Sequence, residues 1–472
     1  MINEDNFRNF FTALPEPFFF LPRFFYNTRK RARLMRKNIK VLSLIAILSA
    51  AVAAAAFQSK STDLLRTNAG RLEERLQELS RFGKNAQGGV DRTAFSDADI
   101  QARAFVISLM RSVGLETHID AVGNIIGRTN GAIPNSPPIL MGSHIDTVPN
   151  GGMYDGALGV LAAIECVQVI KENAISHRSP LEVIVFSDEE GGSVGSKAMA
   201  GDLTAAVLDS STLGGKTVRE GIKAIGGDPD LWKRATRVGE KFKTYLELHI
   251  EQGGRLAAKG VQIGIVEGIV AIRRWNVVIN GESNHAGTTP MEGRKDALLA
   301  ASHFVVMVNK VVTSLSGEQV GTVGRFQVEP GAPNVIPGRV SLTLELRDMA
   351  ESKINLLFGR IMGEVKPIEQ MTGTAISVAP IQPFSNAAPT DKNVSRCIDE
   401  AAKELTLTTL WLPSGAGHDA QNMARLAPMG MIFIPSQGGI SHSPKELSKP
   451  EDIANGANLL LQAVLRIDRG CF

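Results

Sequence analysis

Five short blocks, far apart in a chain of 472 residues, each carry side chains of the kind that bind metal ions. They read Gly142-Ser143-His144-Ile145-Asp146, Tyr154-Asp155-Gly156, Ser187-Asp188-Glu189-Glu190-Gly191, Glu247-Leu248-His249-Ile250-Glu251-Gln252-Gly253 and Ser441-His442-Ser443-Pro444. The chain has only eight His, and three of them fall in these blocks. Imidazole and carboxylate together suit zinc, manganese, cobalt or nickel. The carboxylates are numerous enough to bridge two ions, an arrangement used to activate water for hydrolysis.

Each block has two readings. At a strand end, alternate residues point the same way, so His144 and Asp146 either both bind metal or Asp146 orients the imidazole. Asp155 precedes a helix, where a plain N-terminal cap is the simpler role; beside the other blocks, a carboxylate bridging two metals is favoured. Neighbouring side chains at a strand end diverge, so in Glu189-Glu190 one can bind metal while the other accepts a proton as general base. A solvated acidic turn is the alternative, and the apolar strand before the pair counts against it. A single strand His such as His249 is more often a core residue than a ligand. His442 lies in a glycine-rich loop, where functional residues concentrate. His418, in Gly415-Ala416-Gly417-His418-Asp419-Ala420, has room for a ligand, although a turn explains the glycines equally well.

The elements that must position these residues alternate. Apolar runs at 138–142, 181–186, 245–250 and 431–434 predict strands, and helical spacing predicts helices over 64–82, 98–113 and 156–171. Strands alternating with helices imply an α/β fold, a mainly parallel sheet flanked by helices. Ligands gather at the carboxyl ends of such strands, where the five blocks fall. A different rhythm follows. Strand patterns at 274–280, 322–328, 340–347 and 374–378 enclose helical ones at 295–315 and 352–370, the β-α-β-β-α-β order of a ferredoxin-like α+β unit. His442 comes after it, so it is inserted. The expected division is a di-metal catalytic domain over 61–263 and 384–472 and an inserted lid or dimerisation domain over 264–383.

Hydrophobic content of 43% and charge of 21% are those of a globular enzyme. The net charge of +3 is local to a basic stretch between Arg29 and Lys40, and the remainder is mildly acidic, which implies no nucleic-acid partner. Cys166, Cys397 and Cys471 show no metal or redox spacing, and no disulfide framework is expected. The basic stretch leads into an apolar run, Val41 to Phe57, ending in Ala53-Ala54-Ala55-Ala56. This predicts a signal peptide over 35–60, with an N-terminal membrane anchor as close competitor. Met35 then reads as the start and 1–34 as an extension. Export, periplasmic or membrane-tethered, follows if the signal is functional, and a cytoplasmic location otherwise.

The blocks occur in one order with further ones: Asn284-His285-Ala286-Gly287, Pro333-Asn334-Val335-Ile336-Pro337-Gly338, Glu345-Leu346-Arg347-Asp348 and Gly417-His418-Asp419-Ala420. From Leu64 to Ile467 the chain closely resembles the metallopeptidase family 20 superfamily. Within it, the chain is similar to the branch of N-carbamoyl-L-amino-acid hydrolases, allantoate and ureidoglycolate amidohydrolases and β-ureidopropionases. The resemblance implies that His144, Asp155 and His249 hold one divalent ion and Asp155, Glu190 and His442 another. It implies Glu189 as general base and Asp146 as the group orienting His144. Gln252, His285, Asn334, Arg347 and His418 would bind substrate, with Arg347 suited to a carboxylate and His285 and Asn334 to a developing oxyanion. It also implies a homodimer in which His285 can come from the partner subunit. One departure is a short loop after Glu190, Gly191-Gly192-Ser193-Val194-Gly195-Ser196, where relatives usually carry more residues.

The expected activity is metal-dependent hydrolysis of a linear amide or ureide C–N bond, in a small molecule carrying a carboxylate. N-carbamoyl-L-amino acids and allantoate-like ureides lead the substrate classes. The rivals are an exported metallo-aminopeptidase or acylase of the same superfamily, and a non-catalytic metal-containing binding protein. The free Glu189 counts against the last, because a binding module needs no base beside a metal.

Overall fold

In the main body, four buried strands lie parallel: Leu181–Phe186, Ile139–His144, Thr244–Ile250 and Met429–Ile434, in that order across the sheet. The computed structural model describes residues 64–472, so the leader expected over 35–60 and the extension 1–34 lie outside the described residues. Antiparallel strands Ile125–Arg128 and Glu116–Ile119 extend one edge, and Ile263–Ile269 with Thr409–Ser414 extends the other. The four central strands are buried along their whole length, as runs covered on both faces must be.

Helix Ala157–Glu172 is apolar on nearly every side because it is enclosed by the sheet and by helices Ala69–Ser80 and Pro450–Asp468. Asn68 caps the first of these, and Leu72, Leu76 and Leu79 form its buried stripe. No helix among the described residues is long and apolar enough to cross a membrane.

The inserted unit has the expected order. Ala271–Asn280, helix Ala297–Thr313, Val320–Glu329, Arg339–Asp348, helix Glu351–Thr372 and Ala375–Ser385 follow one another. Its four strands form a separate antiparallel sheet ordered fourth, first, third, second. Strict alternation of buried and open positions along Ala271–Asn280 directs Val277 and Ile279 to a core shared with Phe304, Leu342, Leu344 and Leu357. Trp275 stacks on Phe358 with ring centroids 4.3 Å apart.

Two readings from sequence are corrected. Residues 264–269, expected to open the inserted unit, belong to strand Ile263–Ile269, which pairs in the main sheet, and the chain changes sheets at Val270. Its apolar run has no period that could assign it to either sheet. Cys397 and Cys471, expected to be unpaired, form a disulfide between helix Lys392–Glu404 and the C-terminal tail. A sequence separation of 74 hid the pair, which packing of Pro450–Asp468 on Lys392–Glu404 brings together.

Candidate metal centre

The carboxyl ends of the parallel strands deliver His144 and His249 directly, as the final residue of one strand and the penultimate residue of another. Both rings are buried and both are held by backbone. His144 Nδ1 lies 3.0 Å from the Asp146 carbonyl oxygen, and His249 Nδ1 lies 2.9 Å from that of Ile250. A carbonyl can only accept, so Nδ1 carries the proton and Nε2 offers its lone pair inward. The two Nε2 atoms stand 3.5 and 3.2 Å from Asp155 Oδ1.

Asp155 does not cap the helix that follows; Gly156 occupies that position and makes no side-chain cap. The other Asp155 oxygen, Oδ2, lies 3.4 Å from His442 Nε2, which is 3.5 Å from Glu190 Oε1. One carboxylate thus faces two imidazoles on one side and an imidazole and a carboxylate on the other. The sets His144–Asp155–His249 and Asp155–Glu190–His442 are each compact enough to hold a metal ion. The donor chemistry fits divalent metals, and Glu190 Oε1 is buried with no hydrogen-bond partner.

Glu189 and Glu190 open a short helical turn, Glu189–Gly192, instead of ending a strand. Asp188 before them takes a left-handed φ of +53°, which throws the turn across the strand ends. Asp146 accepts from the backbone N–H groups of Glu189 and Glu190 at 3.3 and 3.1 Å, and its carboxylate also lies 3.6 Å from His144 Nδ1. It therefore ties the His144 strand end to the glutamate turn. Glu189 Oε2 is 3.8 Å from His144 Nε2, and Glu189 belongs to neither compact set.

The charges of the cluster explain its protonation. The three imidazoles outweigh burial at Asp155 and hold it well below the usual carboxylate range. Burial, joined by the charges of neighbouring carboxylates, pushes Glu189 well up and Glu190 up to about 7. His442 is pushed up to about 9, chiefly by its contact with Asp155. Gly156, at φ +62°, packs so closely that a Cβ there would lie 2.4 Å from the His144 ring.

The expected substrate residues divide. Gln252 lies at the centre, with Nε2 donating to Asp155 Oδ2 at 2.7 Å. Arg347, at the end of its strand, donates to Glu345 Oε1 at 2.7 Å and to the Gly415 carbonyl at 2.6 Å, so it reaches the loop that carries His418. His285 and Asn334 are brought together by a short strand pairing, with Ala286 N–H donating to the Asn334 carbonyl at 3.0 Å. Neither side chain hydrogen-bonds to the five metal-type ligands among the described residues. His418 is 3% exposed, its ring stands edge-on 4.5 Å from that of His249, and its Nε2 is 2.8 Å from Ser414 Oγ. It packs behind the His249 ring.

Two residues escaped the sequence reading. Glu247 is buried two positions before His249 and accepts from Ser143 Oγ, Tyr245 OH and Ala420 N–H at 2.8, 2.8 and 3.0 Å. It converges with His249 and His418, but these three donors occupy both of its oxygens. Its strand alternation with His249 was the available signal. Glu446, in the loop after His442, carries no such pattern.

A main sheet with ligands at its carboxyl edge and an inserted α+β unit defines a family of hydrolases. The profile of Peptidase family M20/M25/M40 matches residues 140–466, and the chain belongs to that family. It is 40% identical to the N-carbamoyl-L-amino acid amidohydrolase of Geobacillus stearothermophilus, over 85% of this chain and 98% of that one. It is 39% identical to the ureidoglycolate hydrolase of Arabidopsis thaliana, over 84% of this chain and 86% of that one. The crystal structure of an amidase of the hydantoinase/carbamoylase family from Burkholderia multivorans superposes with a TM-score of 0.79 at 32% identity, covering 85% of this chain and 98% of that one.

Proposed function

We propose that this protein is a two-metal amidohydrolase that cleaves the C–N bond of a linear ureide or amide, with N-carbamoyl-L-amino acids as its leading substrate class. The observation that carries the reading is the Asp155 carboxylate, with His144 and His249 at one oxygen and His442 at the other, and Glu189 free beside them. Two divalent ions, zinc, manganese, cobalt or nickel, held by these residues and Glu190, would polarise the scissile carbonyl and acidify a water. Glu189 takes a proton from the attacking water and returns it to the leaving nitrogen. Asp146, through the N–H groups of Glu189 and Glu190, keeps that base in register with His144. For a carbamoyl amino acid the products are the amino acid, carbon dioxide and ammonia.

Arg347 pairs with the substrate carboxylate. His285 Nδ1 accepts from Gly287 and Thr288 N–H groups, both at 3.1 Å, which leaves Nε2–H as a donor to the growing oxyanion. Asn334 stands beside it. The inserted unit brings both to the metals by closure or from the partner subunit of a homodimer. The dimer is supported by strand Val320–Glu329, which lies at the edge of its sheet among the described residues and exposes Val320 and Phe326, and by exposed Leu299 and Val306 on the adjoining helix. Export is supported by the basic and apolar leader and by the Cys397–Cys471 disulfide, since such bonds persist in oxidising compartments. The test is ammonia release across carbamoyl amino acids, allantoate and peptides with each metal added. Release from peptides alone would reject the reading in favour of an aminopeptidase.

A further inference from the structure

The ligands of the candidate centre are not equally supported. His144 and His249 sit on buried strands, with each ring fixed by a backbone carbonyl. His442 sits in a loop at a left-handed φ of +53°, its side chain is 47% exposed, and nothing among the described residues accepts from its Nδ1. Glu190, in the same half-site, leaves one oxygen without a hydrogen-bond partner among the described residues. The half-site of Asp155, Glu190 and His442 therefore depends on whatever holds its loops at the right separation.

Glu446 spans that gap. It is buried, and one carboxylate oxygen, Oε1, accepts from the backbone N–H groups of Tyr154 and Asp155 at 2.9 and 3.1 Å. The other, Oε2, accepts from Ser441 Oγ at 2.8 Å, one residue before His442. Ser441 Oγ is also 3.0 Å from Asp155 Oδ2. The loop before Asp155 is shaped around this carboxylate: a Cβ on Gly152 would lie 2.1 Å from Glu446 Oε1 and 2.2 Å from its Cδ. Segments nearly 300 residues apart in sequence are thus joined through one side chain, whose two oxygens serve two different ligand loops. Burying this carboxylate beside Asp155 adds desolvation cost and repulsion, and it forms no salt bridge with Lys or Arg among the described residues. A carboxylate buried at that cost, with every side-chain hydrogen bond aimed at the two candidate ligand loops, is placed for the site.

We propose that Glu446 is a positioning residue that fixes the separation of the Asp155 and His442 loops and so sets the affinity of the second half-site for its metal ion. This rests on the two-metal reading above. Glu446 makes no contact with substrate and is not a ligand, because backbone N–H groups and the Ser441 hydroxyl already use both oxygens.

The experiment titrates the metal-free full chain with Co(II), read by visible absorption and by metal stoichiometry after dialysis, with thermal unfolding to verify the fold. The wild-type protein is expected to take up two ions. Glu446→Ala should keep the first and bind the second about 10- to 100-fold more weakly, the usual cost of losing a group that orients ligands. Glu446→Gln should restore both sites. Its amide oxygen can still accept from Tyr154 and Asp155, and its amide N–H can donate to Ser441 Oγ. Should Glu446→Ala not fold, Ser441→Ala removes one limb of the brace and should weaken the second site by about three- to tenfold. Two ions bound at wild-type affinity by a folded Glu446→Ala or Ser441→Ala variant would overturn the proposal. Equal weakening of both ions, or no rescue by glutamine, would overturn it as well. A wild-type chain that takes up no Co(II) would instead refute the two-metal reading, and the role of Glu446 with it.

Discussion

Protons and metal ions compete for the same side chains in the candidate centre, and this sets how metal binding must depend on pH. His442 is pushed up to about 9, chiefly by the Asp155 contact, and Glu190 up to about 7 by burial and the Asp155 charge. A metal needs neutral imidazole and ionised carboxylate, so both protons must leave. At pH 7 only about 1% of His442 would be neutral and about half of Glu190 ionised, so the second ion should displace about 1.5 protons. Its affinity should rise about tenfold per pH unit between pH 7 and 9, and more steeply below pH 7, gaining about three to four decades from pH 6 to 9. The sign follows from both groups being held above their ordinary values: their protons compete with metal until pH passes the raised values. Calorimetric titration in buffers of different ionisation enthalpy measures the proton count, and competition with a chelator measures the affinity. A second-site affinity constant to within a factor of about three from pH 6 to 9 would refute the reasoning.

Three further outcomes follow from the same geometry. Glu189→Gln should retain metal while kcat falls by about 10²-fold or more, whereas Glu190→Gln should lose the second ion; near-normal turnover in a metal-loaded Glu189→Gln enzyme would remove Glu189 from the role of base. Arg347→Ala should lower kcat/KM by about one to two decades for substrates with a carboxylate and leave an amide analogue unaffected, with Arg347→Lys rescuing only in part; equal losses on both substrates would mean that its contacts with Glu345 and Gly415 are its whole function. Gly156→Ala combines a left-handed backbone with a Cβ 2.4 Å from the His144 ring, so denaturant unfolding should show a loss of about 2–5 kcal/mol; a variant of wild-type stability with both ions bound would show that the helix start shifts freely.

Much of this arrangement is legible in the amino-acid order because it is periodic or local. Leu181–Phe186 and Thr244–Ile250 are short, mostly apolar runs of strand length, so the placement of His249 on a strand followed from them. The inserted unit was readable because its strands alternate and its helices carry 3.6-residue stripes. What escaped depends on contacts distant in sequence. The left-handed turn at Asp188 converts a strand end into a helical turn, which no spacing announces. His418 looked open because glycines surround it, yet its ring packs against His249, a contact across 169 residues. Glu446 and Glu247 are single carboxylates whose partners lie up to 292 residues away.

The pairing of Cys397 with Cys471 closes a covalent ring around the last part of the chain. Within that ring lie strand Met429–Ile434, the loop of His418, the loop of His442 and the helix Pro450–Asp468 that covers the sheet. A protease that cuts an exposed loop between the two cysteines does not release a fragment. It opens the ring into two branches, one held by the peptide chain at Cys397 and the other by the disulfide at Cys471, and the hydrogen bonds of Glu446 and Ser441 to the Asp155 loop hold the second in place. In a medium where peptidases are abundant, the strand and ligands that complete the centre could be nicked without being lost.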